Sequence, residues 1–268
     1  FITALPDGIT SIIAQTHFKS SDLALGNIIG SNIANIGLIF GCLLIFKPSV
    51  MKKVKIKKDL YFLLLATAVF ALFLFIQLSF VEGVIFLILF FIIMSYQIKS
   101  RIKVSTKQTS IKNTDSKNYK KISLEIFFII VSLSILLASA YFFINGAEKL
   151  ALKYDISKRV ISLSLVALGS SLPEFTISIV SMLRKKAKIS VGNILGSNLF
   201  NTLFFCGIIA MIRPLDFSKS FLYKDLPFLI FFTLLFFLST FLKKEKFLRM
   251  LGSVTLVCYL SYLWFLVF

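Results

Sequence analysis

Residues 3–11 and 24–41 read TALPDGITS and ALGNIIGSNIANIGLIFG, and residues 170–178 and 190–207 read SSLPEFTIS and SVGNILGSNLFNTLFFCG. The second pair repeats the first at an offset of 166 to 167 residues. In each copy a carboxylate follows a proline, Asp7 after Pro6 and Glu174 after Pro173, inside an otherwise apolar stretch. An ionised side chain at the centre of a bilayer costs about 2.5–3.5 kcal/mol on insertion scales, so two such acids in matching places call for a function.

The rest of the chain supplies the bilayer context. Its 268 residues are 57% hydrophobic, include 31 Phe and have a mean hydropathy of +0.90, far from the composition of a soluble domain. Apolar runs lie at 1–15, 23–46, 60–77, 80–98, 124–145, 158–183, 187–212, 222–242 and 247–268. They are continuous and apolar on all sides, which predicts spanning helices; barrel strands alternate over about 10 residues. The fold class expected is an all-α, polytopic membrane protein. The first run, opening at Phe1, is too short to cross about 30 Å, so a further helix is expected upstream of it.

The net charge of +18 does not point to nucleic acid. Of the 30 Lys and Arg, 22 fall in the connections 47–59, 99–121, 184–188 and 243–249. Alternate connections carrying the basic residues are the mark of the positive-inside rule, which places these loops in the cytoplasm and predicts a multi-pass protein of the cell membrane. The same loops could touch anionic lipid.

The most hydrophilic segment, 99–122, reads as a basic cytoplasmic linker. It separates a first membrane repeat, 1–98, from a second, 123–268. The second holds five spans, and the first holds five once the expected upstream helix is counted. An odd number of spans per half turns the two copies upside down relative to each other. This inverted five-plus-five repeat puts a binding site near the midplane, where the halves meet.

Each proline lacks an N–H and so frees a carbonyl four residues earlier, at Ile2 and Gly169. Spacings of four align Thr3, Asp7 and Ser11 in one copy and Ser170, Glu174 and Ser178 in the other. In the following spans Asn27, Ser31 and Asn35 match Asn193, Ser197 and Asn201. Taken singly, the Gly26/Gly30 and Gly192/Gly196 pairs are close-packing faces, and the Asn and Ser stripes are interhelical hydrogen-bond glue. Recurrence beside the same Pro-acid pair favours cation ligation. Carboxylate, hydroxyl and amide oxygens suit Ca²⁺ or Na⁺, whereas zinc and copper seek His or Cys.

Other residues carry less. Cys42, Cys206 and Cys258 lie in separate spans as free thiols, His17 sits in a short outward loop, and Glu148 and Lys149 read as an interfacial pair. The many phenylalanines read as lipid-facing bulk.

The elements SSLPE and GNILGSNLFN, preceded by ISKRVISLSLVALG at 156–169, resemble the second alpha repeat of the cation/Ca²⁺ exchanger superfamily, specifically the prokaryotic sodium/calcium exchangers. TALPD and GNIIGSNIAN resemble the first. The resemblance implies ten helices, alternating access and clustered cation sites. It implies Asp7 and Glu174 as central carboxylates, Thr3 and Ser170 as backbone and hydroxyl ligands, and Ser31 and Ser197 at flanking Na⁺ sites. It implies Asn35 and Asn201 lining a middle site and the carbonyl of Ala167 at an outer Na⁺ site. The chain departs from the pattern at Asp7, where Glu is usual, at Ala4, which lacks a hydroxyl, and at Asn201, which is acidic in several members.

The function expected is antiport of Na⁺ against Ca²⁺ at the shared carboxylate site, with Na⁺ and Ca²⁺ as transported ions, no cofactor, and no enzymatic activity. Cation/proton antiport and a transport-inactive membrane protein are the alternatives, and K⁺ or H⁺ coupling and the oligomeric state stay open.

Overall fold

The computed structural model describes residues 2–54, 56–105, 119–184 and 186–267. Helices account for nearly all of them: α1 (Leu5–Thr16), α2 (Ser21–Phe46), α3 (Lys57–Ile76), α4 (Phe80–Ser105), α5 (Tyr119–Lys153), α6 (Lys158–Ser170), α7 (Leu172–Leu183), α8 (Lys188–Ile212), α9 (Phe221–Leu238) and α10 (Glu245–Val267). No β-strand forms among the described residues; an isolated bridge joins Leu78 and Leu215. Among the described residues seven helices are long and apolar enough to cross a membrane, or eight when α6 and α7, bent by 43°, count as one broken span.

The helix boundaries follow from local chemistry. Ser20 and Ser157 cap α2 and α6 by accepting from the N–H groups of Leu23 and Val160. Pro6, Pro173 and Pro227 each stand in the first two positions of α1, α7 and α9, where a missing N–H costs nothing. A short 3₁₀ turn, Ile2–Ala4, precedes α1. Pro6 and Pro173 thus each stand at a helix restart, which puts Asp7 and Glu174 in the first turns of α1 and α7.

The helices α2 and α8 form the centre. Of their apolar windows 83% and 78% are buried, against 22–39% for α3, α4, α5, α9 and α10. Two glycine pairs allow close contact with this centre. A Cβ on Gly252 in α10 would lie 2.8 Å from the carbonyl of Gly41 in α2, and one on Gly83 in α4 would lie 2.7 Å from that of Gly207 in α8. Gly41 and Gly207 are repeat equivalents, so the α2–α10 contact in one orientation mirrors the α8–α4 contact in the other.

Connections gather as alternating spans require. On one side, the N–H of Leu215 donates to the carbonyl of Leu78 at 2.8 Å, the Gln15 amide to the carbonyl of Arg213 at 3.1 Å, and the N–H of Ser218 to Asp22 at 2.9 Å. On the other, Lys52 pairs with Glu245 at 2.9 Å and Lys57 lies 4.4 Å over the Phe241 ring. The basic connections 47–59 and 243–249 therefore share a face.

Several expectations need correction. The segment 99–122 is helical at both ends, because α4 runs to Ser105 and α5 begins at Tyr119; residues 106–118 lie outside the described residues. Glu148 pairs with Lys158 across the α5–α6 turn and not with Lys149, since the turn folds α6 back onto the end of α5. Phenylalanine divides between the outer surface and the core: Phe46, Phe75, Phe91 and Phe142 are among the exposed rings, whereas Phe40, Phe70, Phe86, Phe221, Phe232 and Phe236 are fully buried, and Phe90, Phe200 and Phe204 pack ring against ring. Aromatic rings fill the gaps that small residues on neighbouring helices leave.

A buried ion pair, not anticipated from the sequence, ties three helices. Arg159 of α6 grips Asp225 of α9 with two bonds, 2.6 and 2.7 Å, and Tyr262 of α10 donates to the same carboxylate at 3.1 Å. Asp225 is wholly buried. Removing one partner of such a pair leaves an uncompensated charge and costs about 3–5 kcal/mol, whereas replacing both by apolar groups is often near neutral. Asp225→Ala is expected to lower the melting temperature in detergent steeply, and Arg159→Leu with Asp225→Leu together to recover most of the loss. A double variant no more stable than the single one would contradict this account.

Candidate cation site

The two acids are brought to one place by the crossing of the repeats. Asp7 and Glu174 are both fully buried, as are Ser31, Asn35, Ser197, Asn201 and Ala167. Neither acid has a Lys, Arg or His partner among the described residues. Their partners are amides and hydroxyls. The Asn201 side chain donates to Asp7 Oδ2 at 2.8 Å and the Ser171 hydroxyl to Asp7 Oδ1 at 3.3 Å; the Ser197 hydroxyl donates to Glu174 Oε1 at 3.3 Å.

Contacts around the acids are exchanged between the copies. Thr3 of the first repeat donates to Asn193 Oδ1 of the second at 2.7 Å and lies 3.3 Å from Ser197. Its equivalent Ser170, in the second repeat, donates to Asn27 Oδ1 of the first at 2.9 Å and lies 3.5 Å from Ser31. The carbonyl of Ala167 faces Ser31 and Ser170 at 3.5 and 3.3 Å. Every residue named from the sequence is therefore in or against the cluster, with Thr3 half-buried at its margin.

Two features escaped sequence reasoning. The chain widens into π-helical turns at Asn35–Phe40 in α2 and at Phe200–Phe205 in α8, starting at or beside Asn35 and Asn201. Such turns insert an extra residue and re-aim side chains, and they are common at functional sites. The second feature is a bridge of amides: Asn35 donates to Asn198 Oδ1 at 3.0 Å, Asn32 to Thr202 at 2.8 Å, and Asn198 to the carbonyl of Asn32 at 3.2 Å. Asn32 and Asn198 are the asparagines of the two GSN triplets, so their repetition was the available signal; a spacing of four excludes them. Asn35 thus lies in the cluster but points to Asn198, and no bond joins it to Glu174.

The buried atoms left without a partner here are mostly oxygens: Glu174 Oε2, Asn32 Oδ1, Asn35 Oδ1, Asn201 Oδ1 and Ser178 Oγ, with Asn193 Nδ2 the exception. Buried acceptors lacking a donor are rare and costly. A cation would supply what they lack. No group of three or more His, Cys, Asp and Glu side chains that could hold a metal occurs among the described residues. The ligands on offer are therefore two carboxylates and a shell of neutral oxygens, the set for a hard ion. A cavity of 390 Å³ between α1, α5 and the α6–α7 break, lined by Pro6, Thr10, Phe143, Ser170 and Pro173, adjoins the cluster.

The family profile described as sodium/calcium exchanger protein matches residues 1–99 and 124–268, covering both repeats. The chain belongs to the sodium/calcium exchanger family. The membrane protein MJ0091 of Methanocaldococcus jannaschii is 35% identical over 198 residues, 74% of this chain and 63% of that relative, so the chain spans less than two thirds of its length. The sodium/calcium exchanger MaX1 of Methanosarcina acetivorans is 26% identical over 299 aligned positions, 97% of this chain and 84% of the relative. Among solved structures, the sodium-calcium exchanger NCX_Mj soaked with Na⁺ and Sr²⁺ superposes with a TM-score of 0.67 at 27% identity, over 97% of this chain and 81% of that one. The fold expected from the repeats is the fold of these exchangers.

The exchanged contacts are not equal in strength. Asn27 donates to the carbonyl of Asp7 at 2.8 Å and to Ser11 at 2.9 Å while accepting from Ser170, whereas Asn193 accepts from Thr3 and its amide nitrogen has no partner. Asn27→Ala should therefore destabilise the protein by about 2 kcal/mol and Asn193→Ala by under about 1 kcal/mol. Melting temperatures of the two variants in one detergent check the order; equal losses would overturn it.

Proposed function

We propose that the protein is a secondary antiporter that exchanges Na⁺ for Ca²⁺ across the cell membrane at a shared site built on Asp7 and Glu174. The observation that carries this reading is the pair of fully buried acids without basic partners, set among oxygens that lack donors. Two carboxylates are neutralised by one divalent ion, two monovalent ions or two protons. An unneutralised pair away from water is penalised by several kcal/mol, so the loaded states are the ones that change orientation. Competition for the same oxygens then couples the two ions without any resident cofactor.

Each residue takes a part in this reading. Asp7 and Glu174 bridge the bound ion, and Ca²⁺ takes them with about six to eight oxygens in total. Thr3, Ser170 and the Ala167 carbonyl complete its surroundings, Ser31 and Ser197 serve flanking Na⁺, and Asn35 and Asn201 line the middle of the site. Both acids stand in the first turns of helices, where the positive dipole end steadies a carboxylate between ions. The cavity beside Pro6 and Pro173 is the ion's approach, and movement of α5 against α1 and the α6–α7 break opens and closes it. The basic connections face the cytoplasm, as their charge bias dictates. The relatives' names support the ion pair: MaX1 is called a sodium/calcium exchanger, and the NCX_Mj crystals were soaked with Na⁺ and Sr²⁺.

In everted vesicles Ca²⁺ uptake is expected to require an opposing Na⁺ gradient and to vanish in Glu174→Gln and Asp7→Asn. Uptake driven equally well by a pH gradient without Na⁺ would assign proton coupling instead. Unchanged uptake in Glu174→Gln would refute the site.

A further inference from the structure

The amide bridge between α2 and α8 is not symmetric, and the asymmetry follows one difference between the repeats. Asn32 aligns with Asn198, Asn35 with Asn201 and Ile36 with Thr202, and all six side chains are buried. In one direction across the bridge, Asn35 donates to Asn198 Oδ1 at 3.0 Å. Strict symmetry would have Asn201 donate to Asn32 Oδ1. Instead Asn201 donates to Asp7 Oδ2 at 2.8 Å, and Asn32 Oδ1 stays without a partner.

The Asn32 nitrogen is engaged elsewhere, because it donates to the Thr202 hydroxyl at 2.8 Å. An asparagine carries its donor and its acceptor on two arms of one planar amide, so holding the nitrogen fixes where the oxygen points. At the matching place Ile36 offers no acceptor. The Asn198 nitrogen goes to the carbonyl of Asn32 at 3.2 Å, and Asn198 Oδ1 is left turned to Asn35. One hydroxyl, in the π-helical turn one residue beyond Asn201, thus separates an amide that reaches an acid from an amide that does not.

We propose that Thr202 is a positioning residue: by holding the Asn32 amide it keeps Asn32 Oδ1 away from Asn201, and so commits Asn201 to Asp7. The consequence for ions rests on the antiport reading. Asn201 held in this way keeps its own unpartnered Oδ1 on the amide that touches Asp7, so oxygens from opposite repeats stand ready for one cation. Without the hydroxyl, Asn32 turns its oxygen to Asn201, and Asn201 leaves Asp7 for it as Asn35 is drawn to Asn198. Residue 202 therefore acts on ion affinity through Asn201.

The test is a double-mutant cycle on purified protein, comparing wild type, Thr202→Val, Asn201→Ala and the double variant by equilibrium binding of radioactive Ca²⁺. Thr202→Val should weaken binding by roughly three- to tenfold, the worth of one lost polar contact, and Thr202→Ser, which keeps the hydroxyl, should bind as wild type does. In the Asn201→Ala background, Thr202→Val should have no further effect, because changes that act through one contact do not add. An equal loss in both backgrounds marks a general packing defect and overturns the assignment. Thr202→Ala takes the place of the valine variant should the latter not fold. A crystal structure of Thr202→Val reads the geometry independently of ions: Asn201 turned to Asn32 Oδ1 supports the proposal, and Asn201 still on Asp7 refutes it. Wild-type protein that binds Ca²⁺ but exchanges none of it for Na⁺ in proteoliposomes refutes the antiport reading instead, and the cycle still decides the role of Thr202.

Discussion

Two carboxylates held away from water, with no basic side chain among the described residues to neutralise them, set the terms for the structure around them. In such surroundings every polar group must find a partner within the protein or in a bound ion. Asp7 and Glu174 are accordingly ringed by serine, threonine and asparagine drawn from the turn before α1, from α2 and α6, from the α6–α7 break and from α8. Arg159 and Asp225 show the alternative solution. There the charge is cancelled by a fixed bidentate pair, and the result is a pin between helices that needs nothing from outside. The acids of the cluster lack such a partner among the described residues, and the proposed antiport rests on that difference.

The second organising element is the inverted duplication. Contacts in one orientation recur in the other: Gly41 against Gly252 and Gly207 against Gly83, Thr3 with Asn193 and Ser170 with Asn27. The polar contacts cross between halves, so neither repeat contains a finished site. Departures from the symmetry are concentrated close to the acids. Gly8 accommodates the Phe205 ring, which would lie 2.0 Å from a Cβ there, while the equivalent position carries Phe175 and borders a cavity with Ile39. Ala4 against Ser171, and Asn35 against Asn201, change hydrogen bonding in the same neighbourhood. Packing keeps the duplication; the chemistry of the site has drifted from it.

Much of this was legible without coordinates because bilayer physics acts on composition and period. Long apolar runs must be helices, and a Pro-acid pair repeated with its small-residue and amide run marks both the helix break and the buried polar cluster. The sequence reading failed where its rules were too regular. Spacing by four selects one helix face, and it passes over Asn32 and Asn198, which stand one residue beyond Ser31 and Ser197 and bond across between α2 and α8. Alternation of charge located the loops but could not foresee Arg159 on Asp225, whose partners stand 66 residues apart.

From the sequence alone came the all-helical membrane architecture, the inverted halves and the identities of the two acids, because hydropathy, charge placement and repetition are properties of the chain order itself. Tertiary structure decided which oxygen meets which donor: that Asp7 is satisfied across the repeat boundary by Ser171 and Asn201, while Glu174 Oε2 is left free. That difference depends on the crossing of helices and the direction of single side chains, which no local pattern encodes.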